Sequence, residues 1–212
     1  MIRRLVGKAF AGLYRLEHRA RSKCVSLLVS GAFAGFGKRT VLRLPVRLSG
    51  EERIALGSNV SIGENSWLQT LPDGDNRAIA LKIGDGTSMS GGCVLSAVRG
   101  VVLEECVLLA RNVYISDHSH RYDQIDTPIL AQGVNRIQPV RIGRGAWLGE
   151  NVVVCPGVTI GRGAVVGANS VVTHSIPDYC VAVGAPARTV KSFGSNSEVP
   201  VCPDSSKPVH AR

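Results

Sequence analysis

The sequence predicts an all-β fold, a prism wound from short parallel strands, with an α-helix ahead of it. Three observations carry this. A six-residue rhythm runs through much of the chain, most plainly from Ile142: Ile-Gly-Arg-Gly-Ala-Trp, Leu-Gly-Glu-Asn-Val-Val, Val-Cys-Pro-Gly-Val-Thr. One position of that rhythm is almost always Gly or Asn. The first thirty residues instead space their apolar side chains by threes and fours, the helical period.

Residues 2–29 read as the helix. Ile2, Leu5, Val6, Ala9, Phe10, Leu13 and Leu16 fall on one face, and Arg3, Arg4, Lys8, Arg15 and Arg19 populate the rest. A basic amphipathic helix of this kind suits a membrane surface. It equally suits packing on the prism or on a neighbouring subunit. The fourteen uncharged residues between Lys23 and Lys38 are too few to span a bilayer, and no signal-peptide cleavage pattern is convincing.

Three units are expected: a basic helical segment over 1–38, the prism over 39–191, and a Ser/Pro-rich tail over 192–212. The tail lacks periodicity and reads as disordered. Residues 39–50 form a looser lead-in coil. The hexads begin at Leu56, Ile62, Ile83, Met89, Leu103, Leu109, Ile142, Leu148, Val154, Ile160 and Val166. Two excursions interrupt them, a polar one at 71–78 and a longer one at 117–138.

Each hexad position has a physical reading. The first is always aliphatic or Met and points inward. The fourth is Asn59, Asn65, Gly86, Gly92, Cys106, Asn112, Gly145, Asn151, Gly157, Gly163 and Asn169. Gly and Asn tolerate positive φ at least cost, so a left-handed turn is expected there. The fifth is small or β-branched and fits beneath a corner. A period of six therefore winds the chain into coils that bury their apolar edges against one another. An antiparallel sandwich has no reason to keep that period.

Composition narrows the function. Aromatics are only 5% of the 212 residues and Gly numbers 24, as suits a prism of Ile, Leu and Val with Gly corners. The six cysteines show no CxxC pair and no metal spacing. Cys93, Cys106 and Cys155 occupy repeat positions and read as core or corner residues. The formal charge of +9 is uneven: residues 1–50 hold eleven Lys or Arg against Glu17 alone, and the other 162 residues hold fourteen basic and fifteen acidic groups. Because the excess is neither interleaved with aromatics nor placed on the repeat, nucleic acid is not an expected ligand. There is no phosphate-binding glycine motif for nucleotide hydrolysis or redox work.

The hexads, the His-containing excursion Asp117-His118-Ser119-His120-Arg121-Tyr122-Asp123, Pro139, the Ala-Trp-Leu-Gly coil at Trp147 and the stretch Gly184-Ala185-Pro186-Ala187-Arg188 together resemble the hexapeptide-repeat acyltransferases. More narrowly, they resemble the maltose/galactoside O-acetyltransferase group and its polysaccharide-modifying relatives. The resemblance spans roughly residues 40–191. It implies a left-handed parallel β-helix, although the general rule for parallel crossovers predicts the opposite hand. It also implies a homotrimer, with acetyl-CoA as co-substrate and no metal.

The resemblance implies a histidine general base in the excursion, and His118 and His120 are the candidates. His120 is favoured, since counting five residues on from Ile115, the last inward aliphatic, reaches the place where related enzymes carry theirs. Either Asp117 or Asp123 is available to orient the imidazole. The base would take the proton of a sugar hydroxyl as it attacks the thioester, with backbone N–H groups stabilising the oxyanion. For the pantetheine arm and CoA phosphates the matching positions are Trp147, Glu150, Ala168, Thr173, His174, Arg188 and Lys191. Glu150 and His174 depart from the residues common there.

The expected activity is O-acetylation of a sugar or lipid-linked glycan, in the cytoplasm or at the inner face of the membrane. The alternatives are N-acyl transfer to an amino-sugar or amino acid, a zinc hydratase of the γ-carbonic anhydrase kind and a non-catalytic trimeric scaffold. A hydratase would need three imidazoles on one Zn²⁺, and its spaced His pattern is absent.

Overall fold

A computed structural model describes residues 2–74 and 77–193; most of the tail expected over 192–212 lies outside the described residues. The helix runs Ile2–Val29, as the spacing predicts. Apart from a two-stranded pair in the longer excursion, the strands that follow form three sheets, visited in turn once per coil.

The first sheet contains Gly35–Phe36, Ile54–Leu56, Leu81–Ile83, Val101–Leu103, Val140–Ile142 and Thr159–Ile160. The second contains Val41–Leu42, Ser61–Ile62, Ser88–Met89, Leu108–Leu109, Trp147–Leu148 and Val165–Val166, and ends in the hairpin Cys180–Gly184 with Ala187–Ser192. The third contains Arg47–Ser49, Trp67–Thr70, Val94–Ala97, Tyr114–Ser116, Val153–Val154 and Val171–Val172. Neighbouring strands within each sheet are parallel, except in that closing hairpin. Pairing begins at Gly35 with Ala55, four residues before the expected start at 39, because the chain straightens as soon as it leaves the helix.

The hexad reading holds position by position. All eleven first-position side chains are buried. All eleven fourth-position residues, Cys106 included, have φ between 58° and 79°. All eleven fifth-position side chains are buried under corners. Each inward Ile or Leu removed from water contributes roughly 1.5–3 kcal/mol. Glycine at the second position has a separate cause. A Cβ on Gly149 would lie 2.6 Å from the Ala168 amide nitrogen, because backbone of the next coil stacks directly on it.

The helix docks by its C-terminal turns. Ser22 and Ser26 are buried. The Ser26 hydroxyl accepts from the Leu42 amide at 2.9 Å, and that of Ser22 from the Leu44 amide at 3.3 Å. The helix therefore packs on the prism, as one of its foreseen uses required, but through this polar side and not through its apolar face. No described helix is long and apolar enough to cross a membrane.

Candidate active site

The site grows from the corner between the third and first sheets. Strand Tyr114–Ser116 ends there, and the chain leaves the prism through Asp117 and His118, both buried. It returns at Gln138, whose amide donates to the Asp117 carbonyl at 2.7 Å. Within the excursion Ser119–His120 pairs antiparallel with Val134–Asn135, and the Gln132 amide clamps the Gln124 and Thr127 carbonyls.

Asp117 is wholly buried and receives hydrogen bonds from every side. The amides of Val98, Arg99 and Gly100 donate to its oxygens at 2.9, 2.8 and 2.7 Å. Its Oδ1 lies 2.9 Å from His118 Nδ1. Burial pushes this carboxyl up, but the bonds from His118, Gly100, Val98 and Arg99 outweigh it and hold the group below the usual carboxylate range. An ionised Asp117 accepts a hydrogen bond from Nδ1–H, which assigns the tautomer of the neutral ring and leaves its Nε2 lone pair free. Ser116 Oγ accepts from the His118 amide and donates to its carbonyl, fixing the backbone beneath the ring.

His120 stands differently. Its side chain is exposed and has no polar partner among the described residues. Asp123 pairs with Arg121 Nε at 3.4 Å on the surface, away from either imidazole. The arrangement expected of a held, oriented base is thus found at His118 and not at the favoured His120. The physical reason is the exit point of the chain. Asp117 fills the 98–100 turn, so the residue directly after it inherits the carboxylate.

The remaining positions divide between two edges. Thr173 and His174 are exposed on the same corner as His118, with Thr173 Oγ1 2.9 Å from His174 Nδ1. Trp147 lies 47% exposed on the outer face of the second sheet, between Leu108 and Val165. Glu150 and Ala168 are exposed on stacked turns at the corner between the second and third sheets, and Glu150 lies 4.0 Å from Arg111 Nε. Arg188 and Lys191 are exposed in the closing hairpin, which is tied to that corner by the Gly184 amide donating to Ser170 Oγ. The structure brings together Asp117 with His118, and Trp147, Glu150 and Ala168 with the hairpin. It does not bring these two groups together within one protomer, because the third sheet separates them.

Sequence reasoning missed Arg53. It is buried and donates to the carbonyls of Ala78, Leu71 and Val98 at 3.0, 2.6 and 2.7 Å. It thereby braces the turn whose amides hold Asp117. Arg99 joins the same turn to the 71–78 excursion through Asp73 at 2.9 Å. Arg53 also lines a cleft of about 660 Å³ with Gly50, Glu52, Thr70, Pro72 and Arg77, along the edge that carries His118. The only signal for Arg53 was a lone cation leading directly into an inward strand.

Comparison with known proteins fits this fold. The bacterial transferase hexapeptide (six repeats) family model matches residues 139–174. A probable acetyltransferase of Mycobacterium tuberculosis is 43% identical over 140 residues, covering 66% of this chain and 44% of that relative. The putative lipopolysaccharide biosynthesis O-acetyl transferase WbbJ of Escherichia coli is 30% identical over 165 residues, covering 75% of this chain and 82% of the relative. The N-acyltransferase AntD of Bacillus cereus shares the fold at 20% identity and TM-score 0.67, over 80% of this chain and 88% of its own. A galactoside acetyltransferase in complex with coenzyme A matches at 26% identity and TM-score 0.55, over 80% of this chain and 70% of its own. The chain belongs to the bacterial hexapeptide-repeat transferases and is an acyltransferase of the left-handed β-helix fold.

Proposed function

We propose that the protein transfers the acetyl group of acetyl-CoA to a hydroxyl of a sugar or lipid-linked glycan in bacterial polysaccharide assembly, with His118 as general base. The observation that carries this is the buried Asp117–His118 pair, held by the 98–100 turn that Arg53 braces. Nε2 takes the hydroxyl proton while the oxygen bonds to the thioester carbonyl carbon. The tetrahedral intermediate then expels the CoA thiolate, which receives that proton from the imidazolium. No acyl-enzyme is formed. The family resemblance and the O-acetyl transferase WbbJ support a hydroxyl acceptor.

The working unit is a homotrimer. Trp147, Glu150, Ala168, Arg188 and Lys191 mark one edge of the protomer and His118, Thr173 and His174 another, so a second copy must supply the facing wall of the acetyl-CoA groove. Ile125 and Leu130, 98% and 92% exposed at the tip of the 117–138 excursion, are apolar surface that such a neighbour would cover. Arg188 and Lys191 would meet the CoA phosphates. The donor places the reaction in the cytoplasm. The test is acetyl-CoA consumption against matched hydroxyl and amino sugars, with mass spectrometry of the products. O-acetylated product is expected; product from amino acceptors alone would instead support N-acyl transfer.

A further inference from the structure

The N-terminal helix is attached inside out. Its apolar side chains lie on an arc of roughly 140°, and Ser22 and Ser26, which dock it to the prism, lie roughly 150° from the middle of that arc. In the C-terminal turns the polar side is therefore covered and the apolar side faces away. Leu5, Phe10, Leu13, Leu16, Leu27 and Leu28 are 63–76% exposed. Gly7 and Gly12 have nothing within 4 Å of the space a Cβ would fill, so the first turns run clear of the prism.

Charge says what the face fits. Residues 2–29 carry seven Lys or Arg against Glu17 alone. Arg3 and Arg21 flank one margin of the arc, and Arg19 and Lys23 the other. At the root of the helix Arg19 and Lys23 join Arg39 and Arg43 of the first coil around a cleft of about 360 Å³, in which Glu64 is the one acid. An outward apolar stripe with basic margins matches a bilayer whose surface is anionic. The helix is too polar to cross one.

We propose that the Ile2–Val29 helix lies in the interface of an anionic lipid bilayer, apolar face down, and holds the catalytic prism against that surface. This stands on the helix geometry and not on the proposed acetyl transfer.

The test is co-sedimentation of the full-length protein with vesicles of phosphatidylcholine containing about 30% phosphatidylglycerol, against vesicles of phosphatidylcholine alone. Binding about tenfold tighter to the anionic vesicles is expected. The double variant L13E/L16E, altered only on the exposed face, is expected to lose about tenfold or more in affinity. R19Q/K23Q is expected to lose most of the anionic preference. Turnover of a soluble acceptor by L13E/L16E should match wild type, which separates lipid docking from the reaction. Failure of wild type to sediment with anionic vesicles overturns the proposal, as does undiminished binding of L13E/L16E. A smaller oligomer for L13E/L16E, with vesicle binding intact, overturns it in favour of a face between copies of this chain.

Discussion

Replacing Asp117 by Asn tests the construction of the site most sharply. The two carboxylate oxygens accept from three backbone amides and from His118 Nδ1, all within 3.1 Å. Asn offers one oxygen and one NH₂. If the oxygen stays on the Arg99 and Gly100 amides, the NH₂ meets Nδ1 and turns the imidazole into the wrong tautomer, with its proton on Nε2. If it flips, two amide N–H groups face a donor. Loss of an orienting carboxylate from a catalytic histidine costs on the order of 10³–10⁴ in kcat, about 4–5.5 kcal/mol. The expected result for D117N is a kcat fall of that order by thiol release from acetyl-CoA, with KM for acetyl-CoA within about threefold.

Stability reports on the same residue. A carboxyl held below its usual range stabilises the fold above the unfolded value of about 3.9, and that contribution is lost as pH falls through the folded value. Asn carries no such term. The melting-temperature gap between wild type and D117N should therefore be full at neutral pH and narrow below about pH 4. A D117N enzyme that keeps kcat within about threefold, while folded at neutral pH, refutes the role assigned to the pair.

Three further outcomes follow from the structure. Arg53→Met removes the guanidinium donors from three carbonyls, that of Val98 buried, and loosens the 98–100 turn; a stability loss of about 2 kcal/mol and a drop in kcat larger than any change in acetyl-CoA KM are expected from denaturant unfolding and steady-state kinetics. Asn151→Val forces a β-branched residue to φ 58° and breaks the side-chain ladder Asn112–Asn151–Asn169; a loss of about 2 kcal/mol should lower Tm by several degrees in a thermal melt. Trp147→Ala removes the exposed indole from the proposed donor groove and should raise KM for acetyl-CoA about tenfold with little change in kcat for a saturating donor.

The prism was legible because each hexad position answers to one local demand. An inward aliphatic at Leu103, a left-handed turn at Asn112 and a small residue under the corner at Ala146 need no knowledge of distant chain. The helix was legible for the same reason, as a period. Its orientation was not, because the side that docks is decided by Ser22 and Ser26 meeting the Leu44 and Leu42 amides, a contact without periodicity. The carboxylate's partner was hidden in a similar way. Local counting points to His120, while the carboxylate goes to His118 because Asp117 satisfies three amides of the preceding coil. Arg53 escaped notice since its three acceptors are backbone carbonyls, which no side-chain pattern announces. The split of the proposed donor positions between two edges also required the coil order, and it is the reason we propose a second protomer as part of the site.

The most direct measurement is turnover of acetyl-CoA with a sugar acceptor by His118→Ala and His120→Ala side by side. H118A is expected to lose on the order of 10³-fold in kcat while H120A stays within a few-fold of wild type. Loss in H120A with H118A active would contradict the assignment of His118 as base.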